Sequence, residues 1–131
     1  MPPSSKPATF KIALAQCNPT VGDVVGNAAL VRAERGKATG ADVIVFPELM
    51  LSGYPPEDLV YRASFLDAIE RAVAELAKDT ADGGPAVIVG APWRGEGTNR
   101  DLVYNAALVL DGGKVVAHRF KHHLPNYGVF D

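Results

Sequence analysis

Hydrophobic positions along this chain follow two alternating rhythms, and each change of rhythm marks a new element. From Phe10 to Gln16 the period is two: Phe10, Ile12 and Leu14 share one face, and small Ala13 and Ala15 share the other. That is a strand's period, and Asn18-Pro19 ends it with turn chemistry. From Asp23, which suits an N-cap, to Gly40, which suits a C-terminal stop, the period becomes helical. Ala28, Leu30, Val31 and Ala33 supply an apolar face, and Arg32, Glu34, Arg35 and Lys37 a wet one. A second strand runs from about Asp42 to Phe46. Its core, Val43-Ile44-Val45-Phe46, is unbroken, as a strand buried on both faces requires. Strand, helix and strand in this order predict parallel pairing through a right-handed crossover.

After a turn at Pro55-Pro56-Glu57-Asp58, Phe65, Leu66, Ile69, Val73, Leu76 and Ala77 recur at three- and four-residue spacing opposite Glu70, Arg71, Glu75 and Lys78. This pattern predicts a second amphipathic helix, ending near Asp82-Gly83-Gly84-Pro85. Ala86-Val87-Ile88-Val89-Gly90 is another short apolar run and a third central strand. Two β-rich runs, Leu102–Leu110 and Lys114–Phe120, then flank Asp111-Gly112-Gly113, which predicts an antiparallel hairpin. The fold class is therefore α/β with a mixed sheet.

Composition narrows the functional classes. The 131 residues are 47% apolar with a net charge of −2, enough for one modest core. Thirteen Lys and Arg scattered among 15 acids make no basic stripe, so nucleic acid is not an expected partner. No segment approaches the ~20 apolar residues of a membrane span. The proline-bearing start predicts a disordered lead-in over residues 1–8, without the apolar core of a secretory signal, and a cytoplasmic location. The single cysteine, Cys17, forms no internal disulfide.

Candidate chemistry gathers where strands end. Glu48 follows the Val43–Phe46 run and Pro47, where a central strand surfaces into a loop. A carboxylate there is expected to be partly desolvated and able to exchange protons near neutrality; a capping or loop-solvating role fits the same position. Lys121 follows the last strand. Alone it reads as a solvated terminus, but beside Glu48 its ammonium would hold the carboxylate's charge and stabilise a developing oxyanion. His118, His122 and His123 cluster in sequence, yet strand-then-loop spacing and the lack of flanking Cys or carboxylate ligands predict surface or supporting histidines and no metal site.

Phe46-Pro47-Glu48 and Lys121-His122-His123-Leu124 resemble the strand-end signatures of the nitrilase, or carbon-nitrogen hydrolase, superfamily. Further blocks are similar to the glutaminase domain of the glutamine-dependent NAD+ synthetases. These are Ala15–Asp23, Gly26-Asn27, Ser52–Leu59 and Leu124–Asp131, so the resemblance spans Ala8 to Asp131. It implies the N-terminal part of an α-β-β-α sandwich, with residues 9–131 an incomplete glutaminase domain. It also implies hydrolysis of the glutamine side-chain amide by a Glu-Lys-Cys triad, with Glu48 as general base and Lys121 stabilising the tetrahedral intermediate. Tyr127 and Tyr54 are its candidates for the glutamine pocket, although packing on a loop suits either residue.

The family's nucleophilic cysteine lies downstream of the lysine block, beyond Asp131. Cys17, at the end of strand one, is expected to be a small buried hydrophobe instead. The chain alone is thus expected to be inactive, with an uncovered apolar sheet face. No S-G-G-x-D-S pyrophosphate loop is present, so ATP and Mg2+ are expected only in a synthetase part of the polypeptide, and none is a cofactor of this segment. The resemblance implies glutamine, the remainder of the polypeptide and, at full length, further copies in a homo-oligomer as partners. A stand-alone amidase of the superfamily and a non-catalytic module binding through its open sheet face are the alternatives.

Overall fold

In the computed structural model, residues 8–121 are described. The lead-in up to Pro7, His122, His123 and Tyr127 lie outside them. The elements run β1 (Ile12–Leu14), α1 (Val24–Lys37), β2 (Val43–Val45), α2 (Ala63–Asp79), β3 (Ala86–Arg94), β4 (Val103–Asp111) and β5 (Lys114–Phe120). One five-stranded sheet takes the order β1-β2-β3-β4-β5, parallel across the first three strands and antiparallel across the rest.

That order decides where the helices lie. Each crossover adds its next strand on the same side, so right-handedness puts α1 and α2 on the same face of the sheet. Their buried residues form one cluster with Ile44, Val87, Val89, Ala91, Leu108 and Leu110. In α2 the six residues picked out by their spacing, Phe65, Leu66, Ile69, Val73, Leu76 and Ala77, are all buried. Removing each large apolar side chain from water is worth about 1.5–3 kcal/mol.

α1 starts as expected, with Asp23 accepting from the Gly26 amide at 2.9 Å. Its inward face differs from the expected one: Val24, Asn27, Ala28 and Val31 are buried, while Ala33 is exposed. The reason is Asn27. Its Oδ1 accepts from the Thr20 amide at 2.9 Å, and its Nδ2 donates to the carbonyls of Thr20 (2.8 Å) and Leu51 (3.1 Å). A fully bonded amide can be buried at little cost, and this one turns the helix toward the loop after β2. At the helix's other end, Arg35 forms a two-pronged pair with Asp82 (2.8 and 2.9 Å) and donates to the Pro85 carbonyl at 2.9 Å, tying α1 to the entry of β3.

β3 runs on through Pro92 to Arg94, past the expected end at Gly90. The carbonyls of Ile88 and Gly90 point toward the β2 side, where they accept from Phe46 and Leu51. Pro92, two residues further, directs its ring nitrogen to that side too, beyond the end of β2. No ladder bond is lost there. The hairpin turn places Gly112 and Gly113 at φ +58° and +89°, the two left-handed positions that a two-residue turn of this hand needs.

Among the described residues no helix lies on the sheet's second face. Ile12 and Leu14 remain 57% and 74% exposed, and small Ala13 faces the core. Among the described residues the apolar face expected from the sequence stands open, and Glu48 and Lys121 lie on it.

Candidate active site

β2 and β5 run in the same direction, so their C-terminal ends emerge at the same edge of the sheet, with β3 and β4 between them. At about 4.8 Å per strand the two ends are roughly 14 Å apart, a gap that a Glu and a Lys side chain close comfortably only when a backbone segment crosses part of it. Pro47, Glu48 and Leu49 make that crossing. A Cβ built on Gly90 of β3 would stand 2.5 Å from the Leu49 nitrogen and 3.1 Å from the Glu48 carbonyl carbon. The segment therefore rests directly on the bare backbone of the central strand.

The far side of the crossing is anchored by residues that pass into the core. Leu49, Met50, Leu51 and Ser52 are fully buried, so the expected surface loop after Glu48 is a packed turn. Leu49 adopts φ +53°, a conformation seldom taken by a leucine, and is held there by its surroundings. The Leu51 amide donates to the Gly90 carbonyl at 3.1 Å, and the Gly53 amide to the Leu49 carbonyl at 2.9 Å. The Ser52 hydroxyl lies 3.3 Å from the same Leu49 carbonyl.

Lys121 is fixed from the opposite strand. Its backbone amide donates to the Asn105 carbonyl at 2.8 Å, continuing the β4–β5 ladder one step past β5. Phe120, the residue before it, stacks on Tyr104 with ring centroids 4.3 Å apart. The two side chains meet: Lys121 Nζ donates to Glu48 Oε1 at 2.8 Å, joining residues 73 positions apart. The pair lines an open cleft of about 340 Å³ on the helix-free face, floored by Val45, Ile88, Gly90 and Ala107 and bordered by Asn105 and Arg119.

Glu48 and Lys121 are thus brought together as the sequence suggested. The desolvation expected of Glu48 is not found: its side chain is 44% exposed and that of Lys121 42%. The physical cause is the open face on which the pair stands. Tyr54 is half exposed on the loop beyond Gly53 and does not line this cleft; Tyr127 lies outside the described residues. Cys17 is absent from the cleft and partly buried against the core at the end of β1. Burial pushes its thiol up, Glu34 adds to that, and Lys37 opposes it, the reverse of an activated nucleophile. His118 stacks on Phe120 and lies 3.8 Å from Glu96. Asn105, Gly90 and Asn27 were not singled out for the site from the sequence. A glycine inside an apolar strand run is a signal of close backbone approach, and Gly90 carried it.

With this geometry in place, the comparisons with known proteins say which family the chain is drawn from. The sequence matches the carbon-nitrogen hydrolase family over residues 11–131. The chain belongs to this family. It is 44% identical over 124 residues to the glutamine-dependent NAD+ synthetase of Rhodobacter capsulatus, covering 93% of this chain and 22% of that one. In structure it is similar to the glutamine-dependent NAD+ synthetase of Acinetobacter baumannii, with a TM-score of 0.79 and 37% identity over 93% of this chain and 22% of that one. An amidase of the nitrilase superfamily from Nesterenkonia aligns with a TM-score of 0.73 and 25% identity, over 93% of this chain and 47% of the amidase. The chain spans about a fifth of the length of the synthetases it matches.

Proposed function

We propose that this chain supplies the general base and the oxyanion-stabilising cation of a glutamine amidase, the ammonia-generating part of a glutamine-dependent NAD+ synthetase. The observation that carries the reading is the 2.8 Å Glu48–Lys121 pair at the cleft. Two lines of support join it: similarity to synthetases over nearly the whole chain, and a covalent acetamide adduct on the active-site cysteine of a variant of the Nesterenkonia amidase. In this chemistry Glu48 takes the proton of a cysteine thiol, and the thiolate sulfur bonds to the side-chain amide carbon of glutamine. Lys121 stabilises the resulting oxyanion. Glu48 returns the proton to the nitrogen as the C–N bond breaks, releasing ammonia and leaving a thioester. Water, deprotonated by Glu48, then cleaves the thioester to glutamate and free thiol. Because Lys121 occupies Oε1, proton traffic runs through Oε2.

Cys17 is the sole cysteine of the sequence and does not line the cleft, so on this reading the thiolate comes from polypeptide outside these 131 residues. The isolated chain is then inactive. ATP and Mg2+ belong to the synthetase part, which converts the deamidated dinucleotide to NAD+ in the cytoplasm of the cell. The residues here do not suit them: among the described residues no three His, Cys, Asp or Glu side chains gather to hold a metal, and the paired glycines occupy turns. The homo-oligomer expected at full length belongs to the same reading.

The test is to incubate the natural polypeptide containing this segment with a glutamine-derived electrophile and map the label. Attachment to a cysteine other than Cys17, with glutamine hydrolysis abolished, supports the assignment. Labelling at Cys17, or glutamine hydrolysis by the 131-residue chain alone, overturns it. Hydrolysis of simple amides with no preference for glutamine would favour a stand-alone amidase.

A further inference from the structure

We propose that Gly90 and Asn27, neither of which touches the cleft's reacting groups through a side chain, are positioning residues for the general base. The inference rests on the assignment of Glu48 as that base and extends it to the residues that aim it. Glu48 leaves β2, with two strands between it and β5, and meets Lys121 because residues 47–49 cross β3 at its one side-chain-free position. The crossing leaves no room for a methyl group: the site where it would stand is 2.5 Å from the Leu49 nitrogen and 3.1 Å from the Pro47 carbonyl oxygen. All the close atoms are backbone, so no side-chain rotation relieves the clash.

The same segment is held at its other end by α1. The Asn27 amide reaches the Leu51 carbonyl at 3.1 Å and binds both polar groups of the Thr20 peptide position, at 2.9 and 2.8 Å. Between these clamps, Leu49 is kept at φ +53° with its side chain fully buried. A left-handed leucine relaxes once its clamps loosen, and Glu48, its immediate neighbour, moves with it. The two clamps act on Glu48 through backbone, which sets them apart from residues that merely fill the core.

The experiment compares Gly90→Ala, Asn27→Ala and Val89→Ala in the natural polypeptide. Val89 is the neighbouring strand residue, fully buried on the helix-covered face, and serves as a control for lost core packing. A displacement of the base by about 1 Å costs on the order of 100-fold in rate. The expected result is a kcat for glutamine hydrolysis lower by about 100-fold in Gly90→Ala and about tenfold in Asn27→Ala, each with KM within about threefold of wild type. Val89→Ala should lose thermal stability and keep its kcat. Wild-type kcat in folded Gly90→Ala, or a kcat loss in Val89→Ala that matches its loss of stability as the others' do, overturns the proposal. Should Gly90→Ala not fold, Asn27→Ala decides by the same criteria. If the wild-type protein hydrolyses no amide, the glutamine reading fails separately. The geometric claim is then decided by the crystal structure of a folded variant: separation of Glu48 and Lys121 beyond hydrogen-bond reach supports it, and an unchanged 2.8 Å pair refutes it.

Discussion

The Glu48–Lys121 pair should be nearly worthless to the fold and indispensable to the chemistry, and a double-mutant cycle separates the two. The charges sit 2.8 Å apart with side chains 44% and 42% exposed, so the surrounding dielectric is close to that of water. Coulomb attraction there is about 1.5 kcal/mol, and ordering two flexible side chains removes most of it, leaving roughly 0–1 kcal/mol. Glu48→Gln, Lys121→Met and the double variant should therefore unfold within about 4 °C of the parent. Loss of a general base, by contrast, costs 10²–10⁴-fold in rate, or about 3–5 kcal/mol of barrier. Each single variant should lose that much glutamine hydrolysis in the natural polypeptide, and the double variant should lose little more, since the two groups serve one transition state. Urea unfolding gives the first quantity and ammonia release the second. A stability coupling above about 2 kcal/mol would make the pair a structural device, and Glu48→Gln within tenfold of wild-type activity would remove Glu48 from the mechanism.

Other consequences follow from the packing and charge arrangement. Leu108→Ala, at a fully buried position between the sheet and the helices, should cost about 2–5 kcal/mol in chemical denaturation; a loss under 1 kcal/mol would mean that the core collapses around the cavity. Arg35 holds the Asp82 carboxyl well below the usual carboxylate range through paired hydrogen bonds, with the Gly84 amide adding to the effect. A depressed folded-state value gives stability that is present above the ordinary value, about 3.9, and is lost as pH falls through the folded one. Asp82→Asn should therefore be less stable than the parent at pH 7, with the gap closing in acid. An equal gap at pH 7 and pH 2 would contradict the linkage. Cys17→Ala should leave glutamine hydrolysis by the natural polypeptide unchanged, and the Cys17 thiol should react slowly with alkylating reagents at pH 7, as burial dictates.

How much of this was legible in the sequence depends on whether a residue's role is local. The six inward positions of α2 were readable because a long amphipathic helix repeats its instruction several times. The inward face of α1 was misread at its ends: Val24 and Asn27 are buried and Ala33 is exposed. Asn27 looks like surface, and only its three hydrogen bonds, to residues 7 and 24 positions away, make its burial tolerable. Leu49, Met50 and Leu51 fall between strand and turn signals and so read as loop, yet all three are fully buried, Met50 and Leu51 within the core cluster, and that burial is a tertiary fact. Glu48 and Lys121 stood out by type and by their place at strand ends. Their meeting could be anticipated only through family resemblance, since spacing over 73 positions carries no geometry.

On the proposed function, the placement of the pair links catalytic competence to completion of the sheet's cover. The cleft opens on the face where Ile12 and Leu14 stay exposed, and its floor is made of that face's own residues, Val45, Ile88 and Ala107. Whatever packs on those side chains must also reduce the solvent around Glu48 and Lys121, where a lower dielectric would strengthen their interaction. The same covering element would be the natural route by which a cysteine reaches the cleft. Polar replacements on the open face, such as Leu14→Lys, should then do opposite things in two contexts. In the 131-residue chain they should leave unfolding unchanged within about 0.5 kcal/mol, because nothing there is buried. In the natural polypeptide they should lower stability and glutamine hydrolysis together if a second layer covers the face. Equal tolerance in both would mean that the face is open in the working protein and that Glu48 acts in contact with bulk water.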